Sequence, residues 1–259
     1  MSSRYIIRPV RVLITGASSG IGEALARELT RRGHAVALLA RRVDLLEKLA
    51  SELPGSVAIP CDVADAASVA AAVQHAEKTL GGAIDIAVAN AGVGVPSHAA
   101  KFKIEDAERM VRVNVIGTMN LFAAVIPSMI ARHGGRFVGI ASIAGYRGLP
   151  TSSVYSSTKA AMHAFLEASR IELVPYGVGV TTVNPGFIDT PMVTKNKSLP
   201  FIMTAPKAAA IIANGIERGK RVVEFPLPMS LLMRTLRFVP NALYERALVP
   251  FARVKSEKK

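Results

Sequence analysis

The segment VRVLITGASSGIG, residues 10–22, determines the fold expected of this chain. Residues 10–14 are mostly aliphatic and β-branched, which predicts a short buried strand. Gly16, Gly20 and Gly22 follow, and a helical pattern begins after them. In a strand–turn–helix unit, the first glycine allows the tight turn and the second lets the backbone approach a phosphate. The third lets helix and strand pack closely, and the first amides of the helix can bind a pyrophosphate.

The alternation of strands and helices continues to about residue 224. Further strands are predicted at 35–40, 57–60, 84–89, 136–141, 178–183 and 221–224, and helices at 43–53, 65–80, 104–130 and 154–174 and after an N-cap at Thr204. This pattern predicts a single α/β domain over residues 1–224, a doubly wound parallel sheet (Rossmann fold) in three α/β/α layers. Residues 225–259 are expected to form a basic extension and not a separate domain.

Composition narrows the classes of partner. Half of the 259 residues are hydrophobic, which is typical of a globular protein, and the formal net charge of +13 requires a negatively charged partner. Nucleic acid is not expected, because aromatic residues are few and no nucleic-acid motif occurs. The single cysteine, Cys61, excludes an internal disulfide and a cysteine metal cluster, and no metal is expected. A cytoplasmic location is expected, and no apolar run approaches the roughly 18 residues of a membrane span.

Residues 136–159 carry a candidate catalytic group. Ser142 follows a predicted strand, at the sheet edge where open α/β sheets bind ligands. Tyr155 and Lys159 are four residues apart on a predicted helix and therefore share a face. A phenol loses its proton near pH ~10, and a nearby ammonium group lowers that pKa. Serine, tyrosine and lysine are common, so this pattern alone leaves catalysis and coincidence equally open.

The second predicted strand ends in Arg41 and Arg42, with no acidic residue at its tip. An acidic residue there would bind the ribose hydroxyls of NAD and repel a 2′-phosphate, whereas guanidinium groups bind that phosphate well. The pair favours NADP, with NAD as the less favoured cofactor. The alternative is that both arginines begin the next helix and point into water.

Ligand-type residues recur at the ends of several predicted strands, near positions 16, 41, 62, 90, 142 and 186. The carboxyl ends of parallel strands lie at one edge of a sheet, so a single site is expected to unite these positions.

The chain resembles the short-chain dehydrogenase/reductase family, in its branch of about 250 residues, over roughly residues 10–224. The resemblance rests on motifs that occur in order and at family spacing: residues 15–22 (TGASSGIG), Asp62-Val63, Asn90-Ala91-Gly92, Asn114, Ser142, Tyr155-x3-Lys159, and Pro185-Gly186 with Thr190.

The resemblance implies an NADP-dependent oxidoreductase for a carbonyl or alcohol substrate. Tyr155 would donate a proton to the substrate oxygen in reduction and accept it in oxidation. Ser142 would orient that oxygen, and Lys159 would lower the pKa of Tyr155 and bind the nicotinamide ribose. Asn114, placed by a helix kink, would hold a water that relays protons to Lys159.

The same resemblance implies the cofactor contacts. Asp62 would bind the adenine amino group with Val63 beside the ring, and Asn90, Ala91 and Gly92 would line the adenine-ribose side. Ser18, Ser19 and Arg41 would hold the 2′-phosphate, and Ile188 and Thr190 the carboxamide. The remaining contacts are expected from Gly16, Gly20, Ile21, Gly22, Tyr155, Lys159, Pro185 and Gly186.

Two other functions stay open. A family epimerase or dehydratase is disfavoured by the Gly-x3-Gly-x-Gly spacing and by the modest length. A cofactor-binding regulator without turnover is disfavoured because Asn114, Ser142, Tyr155 and Lys159 are all present. The resemblance also implies a homodimer or homotetramer formed through the helices near 104–130 and 153–174.

The substrate loops and the C-terminal extension lie outside the motifs. Residues 93–98, 144–151 and 192–203 are largely apolar, which favours a hydrophobic substrate. In the extension, Met229, Leu232, Met233 and Leu236 have the spacing of one helix face, and basic residues surround them. This stripe is expected to cover the cleft or a neighbouring subunit. The alternatives are a peripheral contact with an anionic membrane, and no fixed structure.

Overall fold

The computed structural model describes residues 9–193 and 199–252. The strands are β1 (Arg11–Thr15), β2 (Ala35–Ala40), β3 (Ser56–Pro60), β4 (Ile86–Ala89), β5 (Arg136–Ile140), β6 (Gly179–Pro185), β7 (Ile188–Asp189), β8 (Met203–Thr204) and β9 (Val222–Phe225). The helices are α1 (Gly20–Arg31), α2 (Val43–Glu52), α3 (Ala66–Thr79), α4 (Ile104–Val111), α5 (Gly117–Ala131), α6 (Ser153–Glu172), α7 (Ala205–Glu217), α8 (Leu227–Leu236) and α9 (Asn241–Leu248).

Seven strands form one parallel sheet in the order β3-β2-β1-β4-β5-β6-β9. This doubly wound order confirms the fold predicted from the sequence. The strand order reverses between β1 and β4, so the connections leave these strands toward opposite faces and open a crevice at their carboxyl ends. The short strands β7 and β8 pair separately, in the segment that follows β6.

Helices cover both faces of the sheet and complete the three predicted layers. The face covered by α1, α2 and α7 buries Val12 and Ile14 of β1. The face covered by α3, α5 and α6 buries Leu13, the residue between them. A strand buried on both faces has no polar side to present to water, which explains why these strands are continuous apolar runs.

The helix predicted at 104–130 is interrupted, which corrects the sequence-based interpretation. Helices α4 and α5 are joined by a wider π-helical turn, Arg112–Ile116, which contains the fully buried Asn114. The side chain of Asn114 bonds the neighbouring loop at Val93, so this turn presents the carboxamide inward. The kink expected from the family resemblance is therefore present as a π-turn.

The same helical region is apolar and long enough to cross a membrane by composition, contrary to the prediction that no such run exists. Leu121, Val125 and Met129 of this region are buried between α5 and the sheet. We therefore interpret residues 104–131 as a core helix with an interruption.

The described part of the extension folds onto the domain. Strand β9 ends at Phe225, one residue beyond the predicted boundary, and α8 then packs against β9 and the turn Ile143–Gly145. Met233 is buried, and Met229 and Leu236 are half-buried, so these three residues form an apolar face toward the domain. None of the three lines the cleft, which the stripe was expected to cover. Leu232 is 57% exposed, so its assignment to the stripe is wrong. It lies too far around the helix to reach the narrow strip that β9 and this turn cover.

Candidate active site

The carboxyl ends of the strands open into one cleft of about 600 Å³. Every predicted site residue except Gly22 and Asn114 lines it: Gly16, Ser18, Ser19, Gly20, Ile21, Arg41, Asp62, Val63, Asn90, Ala91, Gly92, Ser142, Tyr155, Lys159, Pro185, Gly186, Ile188 and Thr190. Arg42 of the predicted arginine pair also lines the cleft, as do Val93, Gly94, Met192 and Val193 of the predicted substrate loops. The wall further contains residues that the sequence did not indicate, namely Ala40, Cys61, Arg109, Val113, Ile140, Ala141 and Pro191.

The glycine-rich turn is packed so tightly that side chains would not fit. Gly16 and Gly20 have φ values of +66° and +62°, in the left-handed region that favours glycine. A Cβ on Gly16 would lie 2.7 Å from the Cα of Ala91. A Cβ on Gly22 would lie 2.4 Å from Nδ2 of Asn90. Gly22 thus sits behind the cleft wall, where it allows α1 to pack closely.

Thr15 and Asn90 fasten the ends of β1 and β4 on the two sides of the crevice. The Thr15 hydroxyl donates to the carbonyl of Val88 and accepts from the amides of Asn90 and Ala91, at 3.1–3.2 Å. Asn90 donates its Nδ2 to the carbonyls of Thr15 and Gly16. Asn90 therefore lines the cleft and also holds the turn in place. Thr15 was not predicted as a site residue. Its hydroxyl at the end of a predicted strand could have indicated that it bonds the neighbouring strand.

Arg42, and not only the predicted Arg41, reaches the glycine-rich turn. Its Nη2 donates to Ser18 Oγ at 2.8 Å and to Ser19 Oγ at 2.7 Å. Arg41 lines the same end of the cleft, and it also borders an adjoining space with Arg109 and Arg112. The alternative in which both arginines only begin α2 is therefore wrong for Arg42. In the sequence, the pair of arginines indicated a contact with the 2′-phosphate of NADP. The family resemblance assigned that contact to Arg41 alone.

The predicted catalytic side chains meet in the cleft, away from the glycine-rich turn. Ser142 follows β5 in an extended conformation, and its hydroxyl donates to the Pro185 carbonyl at 3.3 Å. Tyr155 and Lys159 lie one turn apart on α6, with the lysine Nζ 5.7 Å from the centre of the phenol ring. Nζ donates to the Ile140 carbonyl at 2.7 Å. A serine, a phenol and an ammonium group therefore face one space.

The pKa values in this group are set mainly by burial. Burial lowers the pKa of Lys159 to about 8, because an ammonium group loses water there. Burial also raises the pKa of Tyr155, and a hydrogen bond with Ser142 partly opposes the rise. The predicted lowering of the Tyr155 pKa by Lys159 is thus not found. The Lys159 ammonium group is directed to the Ile140 carbonyl. The loss of hydration of the Tyr155 phenol therefore determines the direction of its pKa shift.

Asn114 supports the cleft from behind. Its Oδ1 accepts from the amide of Val93 at 2.8 Å, and its Nδ2 donates to the Val93 carbonyl and to Thr158 Oγ1. A Cβ on Gly92 would lie 3.4 Å from Oδ1 of Asn114 and 3.9 Å from Nζ of Lys159. The carboxamide therefore positions residues 92–93 next to the lysine.

The loop after β4 lines the cleft through Val93 and Gly94 and bonds to the start of α6, whereas no residue of the predicted wall 144–151 lines the cleft. Ser97 accepts from Ser153 through its carbonyl and donates its amide to the Thr151 carbonyl at 2.8 Å. These bonds join the loop after β4 to the start of α6. On the inner side, a Cβ on Gly94 would lie 3.3 Å from Met192 Sδ and 3.4 Å from the Tyr155 ring. The mouth beside Tyr155 is therefore narrow and lined by Val93, Met192 and Val193.

A sequence profile described as short chain dehydrogenase matches residues 10–199. The chain belongs to the short-chain dehydrogenase/reductase family. A relative from Myxococcus xanthus, named as an uncharacterized oxidoreductase, is 35% identical over 240 residues, which cover 91% of this chain and 94% of the relative. This short-chain dehydrogenase/reductase is thus an oxidoreductase by family, as the sequence motifs predicted.

Solved structures of similar proteins give the same result. A short-chain dehydrogenase from Sphingobium yanoikuyae in complex with NADPH has a TM-score of 0.78 and 28% identity, covering 97% of this chain and 98% of that protein. A 3-ketoacyl-(acyl-carrier-protein) reductase from Brucella melitensis complexed with NADH has a TM-score of 0.80 and 28% identity, covering 85% and 98%. The relatives bind either nicotinamide cofactor, so a nicotinamide cofactor is supported for this short-chain dehydrogenase/reductase.

Proposed function

We propose that this chain transfers a hydride between NADP(H) and a carbonyl/alcohol pair, with Tyr155 exchanging the proton. The observation that carries the proposal is the meeting of Ser142, Tyr155 and Lys159 in the cleft that the glycine-rich turn closes at its other end.

The residues of the cleft fit a dinucleotide. The first turn of α1 opens into the cleft, and its unbonded amides suit a pyrophosphate. Gly92 and Gly94 keep the floor open, because a Cβ at either position would approach the side chains of the site. When bound, the nicotinamide would supply or accept the hydride.

The chain itself supplies the proton and the position. Ser142 would donate a hydrogen bond to the substrate oxygen and hold it beside the phenol. In reduction, the Tyr155 O–H bond breaks and its proton passes to that oxygen, while the carbonyl carbon receives the hydride, which yields the alcohol. The raised pKa keeps the phenol protonated at neutral pH. The Lys159 ammonium would stabilise the phenolate that remains, and oxidation reverses these steps.

Selection of NADP over NAD would rest on the arginine pair. Arg42 already bonds both serines of the glycine-rich turn, and Arg41 borders the same end of the cleft. Two guanidinium groups and two hydroxyls form a donor-rich, positively charged corner that suits a 2′-phosphate. The apolar lining near Tyr155 favours a hydrophobic carbonyl compound or alcohol as the substrate.

Replacing Tyr155 by Phe tests the proposal. NADPH oxidation is screened over aldehydes, ketones, quinones and ketoacyl thioesters, and NADPH binding is followed by its fluorescence. Tyr155→Phe should abolish turnover, because the ring stays while the phenol proton that would pass to the substrate is removed. NADPH binding should change by no more than a few-fold.

The control is Tyr176→Phe, which removes a hydroxyl from an exposed tyrosine and should leave turnover unchanged. Unchanged turnover in Tyr155→Phe would refute the assignment. A wild-type chain that binds NADPH and oxidises it with none of these compounds would instead favour a regulator or an epimerase.

A further inference from the structure

The described part of the extension after β9, residues 227–252, presents an unusual number of apolar side chains to solvent. Seven of the eighteen exposed large hydrophobic side chains described in the chain belong to it, and each is between 52% and 87% exposed. They are Leu227, Leu231, Leu232, Phe238, Leu243, Val249 and Phe251. Exposed apolar patches of this kind mark surfaces that bind a partner.

The outward face of α8 is not needed for folding. The inward face already packs on the domain through Met229 and Met233. Leu227 and Leu231 are one turn apart on the opposite side, and Phe238 continues their line beyond the helix end. The helix is thus apolar on two faces, and the fold uses only one of them.

The charge of this region indicates which partner fits. Residues 227–259 contain seven Lys or Arg residues against two Glu residues. Arg234 pairs with Glu224 at 3.5 Å, and Arg237 lies 5.9 Å above the Tyr146 ring, so these two are engaged by the domain. Arg246 is exposed on α9, and the sequence after Ala252 adds Arg253, Lys255, Lys258 and Lys259. A second copy would bring a further +13 against this charge, whereas an anionic lipid surface neutralises it.

The extension is held in a fixed position beside the substrate loops. Arg147 donates to the Val239 carbonyl at 2.7 Å and lies 4.0 Å above the Tyr244 ring. The Tyr244 hydroxyl donates to the Gly148 carbonyl at 2.6 Å. At its far end, His98 Nε2 bonds the carbonyl of Ala252 at 2.8 Å. The loop after Ile143–Gly145 and the loop after β4 therefore both hold the extension, so the apolar surface is already formed without a partner.

We propose that the extension docks this protein on an anionic lipid bilayer. The apolar side chains enter the interface between headgroups and acyl chains, and the basic residues contact lipid phosphates. Docking would place the loops around the cleft mouth close to the membrane. This inference does not require that hydride transfer is assigned correctly.

Flotation with vesicles on a density gradient tests the docking. The full chain should float with vesicles of phosphatidylcholine mixed with phosphatidylglycerol, and much less with phosphatidylcholine alone. Raising NaCl from about 0.1 M to about 1 M shortens the Debye length from about 10 Å to about 3 Å and should release protein. Leu231→Gln combined with Phe238→Gln should weaken partition by about tenfold or more, because two exposed apolar anchors are lost.

The matched control pairs two single variants. Leu231→Gln lies in the extension and Leu45→Gln lies on α2, and both leucines are exposed. Only Leu231→Gln should reduce flotation, and circular dichroism should show that both variants fold. Failure of the wild-type chain to float with the anionic vesicles would overturn the proposal. It would also be overturned if the double variant floated as well as the wild-type chain. The same holds if the wild-type chain did not bind vesicles and the double variant had a lower oligomeric state, because the surface would then bind a second copy.

Discussion

At the scale of single residues, the buried Lys159 opposes the stability of the fold. It is buried, its pKa falls from 10.5 to about 8, and no carboxylate is among the causes of that shift. A lysine in the unfolded chain keeps its proton up to a higher pH than the folded one does. Burial of the charge therefore destabilises the fold fully below about pH 8, and this penalty declines as the pH rises toward the unfolded value.

Lys159→Met should reveal this penalty. Because the unfolded chain binds more protons than the folded chain between the two pKa values, wild-type stability should gain roughly 2 kcal/mol relative to the variant between about pH 7 and about pH 9.5. Urea unfolding of both proteins at the two pH values measures the difference. A stability difference independent of pH would contradict the assigned pKa. The variant should also lose turnover, since Tyr155 loses the ammonium group beside it.

The arginine pair makes a second prediction at the residue scale. Arg42→Asp and Arg41→Asp should each lower kcat/KM for NADPH relative to NADH, because a carboxylate repels the 2′-phosphate. A lost charge-assisted hydrogen bond is worth about 1.5–3 kcal/mol, which corresponds to a change of about 10- to 150-fold. Arg246→Asp on α9 makes the same change of charge at a residue that does not line the cleft, so it serves as the control. An unaltered ratio in Arg42→Asp would show that its bonds to Ser18 and Ser19 are only structural.

At the scale of secondary-structure elements, the sequence predicted the parallel sheet because its inner strands, such as β2 and β4, are buried on both faces. A short apolar run such as 35–40, preceded by a glycine, is typical of a strand that is buried in this way. The glycine-rich turn was predictable for a similar reason, since Gly16 meets Ala91 at a distance that no side chain permits. The site residues at strand ends followed from these two features, because parallel strands deliver their carboxyl ends to one edge.

Features that depend on contacts between distant elements were not predictable. A kink at Asn114 was expected from the family resemblance, but its form as a π-turn depends on the bonds between Asn114 and Val93, a partner 21 residues earlier in the chain. The pKa of Tyr155 depends on how deeply α6 is covered, which a helical pattern does not encode. Leu232 appeared to belong to the buried stripe of α8 because the spacing alone cannot tell how wide the covering strip is.

The attachment of α9 makes a prediction at this scale. Arg147 bonds the backbone beyond α8 and stacks on Tyr244, so its loss should free α9 from the loop that follows Ile143–Gly145. Arg147→Met should raise amide hydrogen exchange in α9 by about tenfold, since the lost contacts are together worth about 1–2 kcal/mol. Arg246→Met removes an exposed arginine from α9 and should not change exchange. Equal protection in Arg147→Met would show that other contacts hold the helix.

At the scale of the whole molecule, a homo-oligomer is the expected state. Exposed apolar side chains also occur on the outer surface of the α4–α5 region and at the end of α6, among them Ile104, Val111, Ile171 and Val174. We expect wild-type protein to sediment as a dimer or tetramer, and Ile171→Glu with Val174→Glu to reduce its mass because charges would be buried. Leu45→Glu should leave the mass unchanged. A monomeric wild-type chain would refute this expectation.

One short segment after β6 closes the cleft at both ends. Thr190 lies against Gly20, because a Cβ on that glycine would be 3.2 Å from its methyl group. Two residues later, Met192 lies against Gly94 and borders Tyr155. Molecules bound at the two ends of the cleft would therefore press on the same backbone. Their affinities should be coupled, and linkage requires the coupling factor to be the same in both directions. Whatever factor the nucleotide confers on substrate affinity, the substrate must confer on nucleotide affinity.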